Sequence, residues 1–209
     1  MTDANLPDAL NRTARRAAAN RKAIIDAAED LLVDGGIGAV TVEAVADRCD
    51  VAIQTVYNRV GRRPEVLVAV AERAIEVNRR YLEPAFTAPG TPLERLAGVA
   101  AAYLSFARER PQLLQLLNTP PDEPSALQGI ATKVEEQVAK LGDILAAGIA
   151  DGTFHSRLDP AVAATALWAM LEGVLALGWR SDRKAIAPEN LGLLTDFAVS
   201  TMIAGISAH

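Results

Sequence analysis

Residues 41–60, TVEAVADRCDVAIQTVYNRV, constrain this chain more than any other stretch, because two short helical patterns are joined there by a tight turn. Thr41 is a good helix N-cap, and Val42, Val45, Ala46 and Cys49 follow at helical spacing on one face. Asp50 stands where the chain must turn, with apolar Val51 tucked under it. A second helix is predicted from about Ala52 to Val60, with Val56 and Val60 inward at i, i+4. That leaves Gln54, Thr55, Tyr57 and Asn58 outward, the kind of side chains that read base edges and phosphates. Ala46 is small enough for the two helices to cross closely. The arrangement is a helix-turn-helix pattern, whose second helix is built to enter a major groove.

The charge balance looks wrong for such a role until its distribution is considered. The net charge is −5, yet residues 1–63 hold nine basic and nine acidic side chains, so residues 64–209 carry the whole excess. Arg12, Arg15, Arg16, Arg21 and Lys22 form one basic cluster, and Arg48, Arg59, Arg62 and Arg63 another, opposed only by Asp50. Attraction to phosphate acts within a Debye length of about 8 Å, so local sign outweighs the total.

The flanks of the motif sharpen the reading. A helix over 21–34 ends at Gly35-Gly36, and after Val60 come Gly61, Arg62, Arg63 and a new helix from Pro64. With Ile24, Ala27, Ala28, Leu31, Leu32, Gly35, Thr41, Val42, Val45, Ala46, Val51, Thr55, Val56, Tyr57 and Leu67, this run resembles the N-terminal domain of the tetracycline-repressor (TetR) family over residues 18–70. Beyond it the likeness is one of length and helical layout. The chain departs from the family pattern at Asp50 (usually Gly), Ala52 (Ser), Val60 (Phe) and Arg63 (Lys). Asp tolerates the left-handed conformation better than most residues, and Ala52 gives up a capping oxygen worth about 1 kcal/mol.

Half of the residues are hydrophobic and 4% aromatic, with no sustained period-two alternation, so an all-α fold of about nine helices is expected. Residues 1–17 read as a flexible basic arm, 18–66 as the helix-turn-helix domain and 67–209 as a ligand-binding and dimerisation domain. Helix 4 is expected over 64–86, with Pro64 in its first turn and Pro84, Pro89, Gly90 and Pro92 breaking the chain after it. It joins the reading part to the rest and is the natural lever. Helix 5 (92–110) is capped by Thr91 and Glu94, Pro111 opens a short helix 6, TPPDEP at 119–124 is a loop, and helix 7 spans 125–150. Helices 8 (160–179) and 9 (189–206) follow. Helix 8 is apolar on most faces but carries Glu172, and a buried helix covered on one side by a second protomer is favoured over a membrane span. The resemblance implies that helices 8 and 9 form the four-helix interface of a homodimer.

Catalytic patterns find little support. His155 and His209 are the only histidines, neither at metal-ligand spacing, and no phosphate-binding glycine loop or Ser/His/Asp set can be proposed. Cys49 reads as a core filler, and a single cysteine excludes an internal disulfide. No metal, cofactor or catalytic residue is expected. With no signal peptide in Met1–Leu10, the cytoplasm is the default compartment.

The expected DNA-contact set is Thr41, Arg48, Gln54, Thr55, Tyr57, Asn58, Arg62 and Arg63, with Gln54 and Asn58 the direct readers and Tyr57, Arg62 and Arg63 on phosphates. The resemblance implies an effector among helices 4–8. Candidate contacts there are Tyr81, Phe86, Tyr103, Phe106, Leu113, Leu117, Trp168 and Glu172, with Phe154 and Met170 behind them. So apolar a set suggests a mainly hydrophobic small molecule, with Glu172 the polar exception. The expectation is a homodimeric, ligand-responsive repressor on a palindromic double-stranded DNA operator. The rival reading is a helical protein that has lost DNA recognition and only sequesters its ligand.

Overall fold

The computed structural model describes residues 6–119, 124–180 and 186–208. Among them are nine α-helices and two short 3-10 turns, and the one β-type pairing is an isolated antiparallel bridge between Phe154 and Ser207. The all-α expectation holds. The chain divides into two compact units inside its fourth helix, between Arg73 and Ala74.

The first unit is built from α1 (Leu6–Gly35), a 3-10 turn (Ile37–Ala39), α2 (Val42–Arg48), α3 (Ile53–Arg59) and the first turns of α4 (Arg63–Thr87). Its core is the apolar stripe read from the sequence: Ile24, Ala28 and Leu32 from α1, Val45 and Ala46 from α2, and Val56 from α3 are all at most 1% exposed. Helix α1 begins far earlier than the 21–34 expected, so residues 6–17 of the anticipated arm are helical; residues 1–5 lie outside the described residues. Pro7 fits a first turn, and the run after it is rich in the good helix formers Ala and Arg and has no further Gly or Pro before Gly35.

The second unit takes the rest of α4 with α5 (Pro92–Glu109), α6 (Pro111–Asn118), α7 (Pro124–Ala150) from Gln128 onward, its first turn up to Leu127 being grouped with the first unit, α8 (Pro160–Ala176), a 3-10 turn (Leu177–Trp179) and α9 (Pro188–Ile206). Helix α4 runs from Arg63 to Thr87, within one residue at each end of the 64–86 expected, and Pro84, counted among the residues that break the chain, lies inside it. Pro84 is exposed and only three residues from the end, so the one carbonyl it leaves unbonded can turn to water. The box predicted at the head of α5 is present in full: Thr91 Oγ1 accepts from Glu94 N, and Glu94 returns a carboxylate oxygen to Thr91 N at 2.8 Å. Asp159 caps α8 by accepting from the amides of Ala161 and Val162. Of the expected 119–124 loop, residues 120–123 lie outside the described residues, as does His209.

The core of this unit gathers Phe106, Leu113, Leu114, Leu116, Ile144, Leu145 and Ala164, each at most 1% exposed. Helix α8 is not apolar and buried on all sides: it buries Ala164, Leu167, Leu171 and Leu175 but leaves Val162 67% and Met170 47% exposed. On α9, Leu193 and Phe197 are 71% and 70% exposed. The stretch Pro160–Trp179 is long and apolar enough to cross a membrane by composition alone, and here it packs on α9.

Candidate functional site

The turn between α2 and α3 is drawn by four local devices. Thr41 Oγ1 accepts from Ala44 N at 3.1 Å and starts α2. The Cys49 thiol points back along α2, donating to the Val45 carbonyl at 2.9 Å, which leaves it half-buried with its ionisation pushed up by burial. Asp50 adopts φ 50°, the left-handed conformation for which a glycine is better suited. Val51 N then donates to the Ala46 carbonyl at 3.0 Å and locks the corner. Ala52 stands at the cap of α3 with no side-chain oxygen to offer, as the sequence implied.

Helix α3 presents the outward face that was expected. Val56 is fully buried, while Gln54, Tyr57 and Asn58 are exposed and Thr55 half-buried. Gln54 Nε2 donates to Asn58 Oδ1 at 3.0 Å, so the two amides, one turn apart, form a single preset polar surface. Ile53, 42% exposed beside them, was missed by sequence reasoning. It sits three residues before Val56 and so reads as core, yet at the first position of the helix nothing covers it. Apolar side chains in that place can meet a thymine methyl.

The arginines divide into two kinds. Arg62 is exposed at the head of α4. Arg63 is turned back: its Nε and Nη2 donate to the carbonyls of Val40 and Ile37, each at 2.7 Å. Its first role is therefore to tie α4 to the 3-10 turn. Arg48 reaches Asp34 on α1 at 3.0 Å, an exposed ion pair of small energetic weight. Arg73, half-buried, donates to Asp26 at 2.6 Å and Glu29 at 3.1 Å on α1, and that pairing offsets the cost of burying it.

In the second unit a cavity of about 520 Å³, including its mouth, lies among four helices. Leu82 and Phe86 come from α4, and Leu96, Val99, Ala100 and Tyr103 from α5. Gln137, Val138 and Leu141 come from α7, and Leu167, Trp168 and Leu171 from α8. Its wall is apolar apart from Tyr103, Gln137 and the Trp168 indole. Lys140 lies 5.6 Å from the centre of the Phe86 ring and pairs with Glu83 at 2.6 Å.

Of the expected effector contacts, Phe86, Tyr103 and Trp168 line this cavity. Glu172 does not line it but stands directly behind: Tyr103 Oη donates to Glu172 Oε1 at 3.2 Å. Burial pushes the Glu172 carboxyl up to about 7, against the opposing pull of the tyrosine hydroxyl. The other candidates fall elsewhere. Phe106 and Leu113 are plain core at 0% and 1% exposure. Tyr81 stacks edge-on against Phe106, centroids 5.5 Å apart, and spends its hydroxyl on Glu109 at 2.6 Å. Leu117 is half-buried away from the lining, Phe154 is packed on Gly148, and Met170 faces outward. The missed liners are aliphatic apart from Gln137: Leu96, Val99 and Ala100 share the Tyr103 face of α5, a stripe visible in the sequence but identical there to a core stripe.

A helix-turn-helix with an exposed second helix, followed by a helical unit with a half-open apolar cavity, is the architecture of a DNA-binding regulator. Comparison with known proteins agrees. Residues 24–61 match the family of bacterial regulatory proteins of the tetR type, and 96–202, half of the chain, match the tetracyclin repressor-like C-terminal domain. The chain belongs to the tetracycline-repressor family, whose members bind DNA operators and typically act as dimers with small-molecule effectors. It is 36% identical over 94 residues to the transcriptional repressor KstR of Mycolicibacterium smegmatis, covering 45% of this chain and 46% of that one. The chain thus spans about half the length of the KstR relatives it matches. To KstR2 of the same organism it is 26% identical over 154 residues, 70% and 73% of the two chains. Among solved structures, a Rhodococcus protein of unknown function superposes with TM-score 0.72 at 21% identity, over 90% of this chain and 95% of that one. The ketosteroid transcriptional regulator KstR2 of Mycobacterium tuberculosis superposes with TM-score 0.64 at 17% identity, over the same shares. At these identities the superpositions speak for the fold.

Proposed function

We propose that this protein is a ligand-responsive transcriptional repressor that binds a palindromic DNA operator as a homodimer and is released by a small, mainly hydrophobic effector. The observation that carries the reading is the pairing, in one chain, of an exposed Gln54–Asn58 amide surface on α3 with a half-open apolar cavity. Gln54 and Asn58 read base edges, with Ile53 beside them, while Thr41, Thr55, Tyr57 and Arg62 hold phosphates and Arg48 and Arg63 brace the motif from behind. Residues 18–66 act as the reading domain and 67–209 as the sensing and pairing domain. Helix α4 serves both, since it carries Arg63 at one end and the cavity residues Leu82 and Phe86 at the other. An effector releases DNA only if it binds one setting of that helix more tightly than the other.

The second protomer covers α8 and α9. Val162, Met170, Leu193 and Phe197 are large apolar side chains in water in the single chain, and a dimer buries such a patch. The KstR relatives are named as transcriptional repressors and one KstR2 structure as a ketosteroid regulator, which favours a bulky apolar effector here too. The site of action is the cytoplasm, where the operator is.

Selection of bound fragments from genomic DNA, followed by gel shifts with salt titration, tests this reading. A palindromic site with half-sites about one helical turn (~34 Å) or slightly more apart is expected, together with a dimer in sedimentation. Binding that shows no sequence preference, or a monomer on DNA, would refute it.

A further inference from the structure

Glu172 is the one titratable side chain of α8, and DNA reading makes no use of it. It stands at the edge of the cavity. Leu171 precedes it, Trp168 lies one turn back on α8, and Tyr103 of α5 donates to its Oε1 at 3.2 Å; all three line the cavity. The groups around it are neutral. Helix α6, which packs on α8, has no charged residue and sends the Asn118 amide to the same Tyr103 hydroxyl. On α9, which also packs on α8, the charged side chain among the described ones is Asp196, and it is exposed. Where α4 and α7 carry charge beside the cavity, at Glu83 and Lys140, the two neutralise each other at 2.6 Å. Burial raises the Glu172 carboxyl, the Tyr103 hydroxyl pulls it back, and no cation contributes. A carboxylate without a cation depends on the polar medium near it, and part of that medium here is the solvent admitted to the half-open cavity.

We infer that the cavity is proton-linked: an apolar effector and a proton on Glu172 bind together, so that the protein answers its effector more readily in acid than in base. An apolar ligand replaces solvent at the edge of the carboxylate with hydrocarbon, which disfavours the charged form. By reciprocity the proton favours the ligand by the same factor. The free protein gives up this proton at about pH 7, and the filled protein keeps it to higher pH. Affinity is therefore flat on the acid side, weakens as pH rises through about 7, and levels off once the filled protein has lost the proton too. This inference names the regulation of the cavity and rests on the cavity being the effector site, as proposed above.

The test uses N-phenyl-1-naphthylamine, an apolar probe uncharged across the range, titrated by its fluorescence into the full-length protein from about pH 5.5 to about pH 9. The native protein is expected to lose about three- to tenfold in affinity over that range, the size of a modest change in the burial of one carboxylate. Glu172→Gln should bind with the acid-side affinity throughout. Tyr103→Phe, which removes the hydroxyl that holds the carboxyl down, should keep the fall in affinity but move it to higher pH. Calorimetry of the native protein at about pH 7.5, in two buffers of different ionisation enthalpy, should show a fraction of a proton taken up on binding, and Glu172→Gln none. Affinity that does not change with pH, that strengthens with rising pH, or that falls equally in Glu172→Gln overturns the inference while leaving the cavity as effector site. Failure of the probe to bind, or binding untouched by a Val99→Trp change that fills the cavity, refutes the effector site itself and the inference with it. The proton count on the native protein decides the matter even where thermal melts show a variant to be unfolded.

Discussion

Arg63 ties down Val40. Its Nε donates to the Val40 carbonyl at 2.7 Å while Nη2 reaches the Ile37 carbonyl, so one guanidinium closes the 3-10 turn between α1 and α2 onto the start of α4. The Val40 carbonyl is met by a cation, and the Ile37 carbonyl, which already accepts from Val40 N at 3.4 Å, gains a second and charged partner; a bond to a cation is stronger than a neutral one.

The two neighbouring arginines should therefore separate cleanly. Arg63→Ala is expected to lower stability in urea by about 1–3 kcal/mol, because it removes two charged hydrogen bonds and leaves the Val40 carbonyl without the partner Arg63 gave it. Arg62→Ala should leave stability within about 0.5 kcal/mol, as surface changes do. It should instead weaken DNA binding at every sequence and reduce the salt slope by about one for each phosphate that the side chain no longer meets. Urea denaturation and a salt-titrated gel shift on both variants check this; an unchanged slope for Arg62→Ala would remove it from the phosphate-binding set.

The turn between α2 and α3 has room for improvement. Asp50 holds φ 50° and Ala52 caps α3 without a side-chain bond. Asp50→Gly removes the left-handed penalty of about 1 kcal/mol and Ala52→Ser adds a cap of about 1 kcal/mol. Each should raise the melting temperature, the two together somewhat less than their sum, since the sites are neighbours. Asp50→Val should lower it. Calorimetry on the three single variants and the double one decides the matter.

What the sequence revealed and what it hid follow from the range of the interactions. Thr41, Asp50 and the Val56 face were legible because a cap, a turn and a helical period are set by residues within a few positions of one another. The bracing role of Arg63 was not, because its acceptors lie 23 and 26 positions away and are backbone atoms that no residue type marks. Cavity and core were equally hard to part: Leu96 and Val99 line a space while Leu113 and Phe106 fill one, and both tasks ask for an apolar residue at helical spacing. Glu172 stood out because a carboxylate on an apolar helix needs an explanation, though its partner Tyr103, 69 residues away, could not be read from spacing.

Gly148 on α7 should tolerate nothing larger. A Cβ there would fall within the ring of Phe154 and 3.0 Å from Pro92, and the Phe154 amide donates to the Gly148 carbonyl at 2.9 Å. Gly148→Ala gains about 1 kcal/mol of helix propensity but forces the ring aside, at about 1–3 kcal/mol or more in a packed core. A net loss is expected in thermal denaturation. Phe154→Leu in the Gly148→Ala background should recover part of it, whereas Phe154→Leu alone destabilises. Lack of any recovery would locate the clash at Pro92 instead.

The pH dependence of stability should carry the mark of Glu172. Burial raises its carboxyl from 4.5 in the unfolded chain to about 7 in the fold, so between those values the folded state holds a proton that the unfolded state has lost. Stability linked to this group is thus fully present below pH 4.5, declines as pH rises towards 7, and is flat above. Because the side chain still meets some solvent, the shift translates into a discounted loss of about 2 kcal/mol. Glu172→Gln removes the titration while keeping the shape, so its stability between pH 5 and 8 should lack this component, and above pH 7 the variant should be the more stable of the two. Urea midpoints measured in parallel for the two proteins across that range give the difference directly. A difference that does not change with pH would place the Glu172 carboxylate in contact with water or a cation and contradict its burial behind Tyr103.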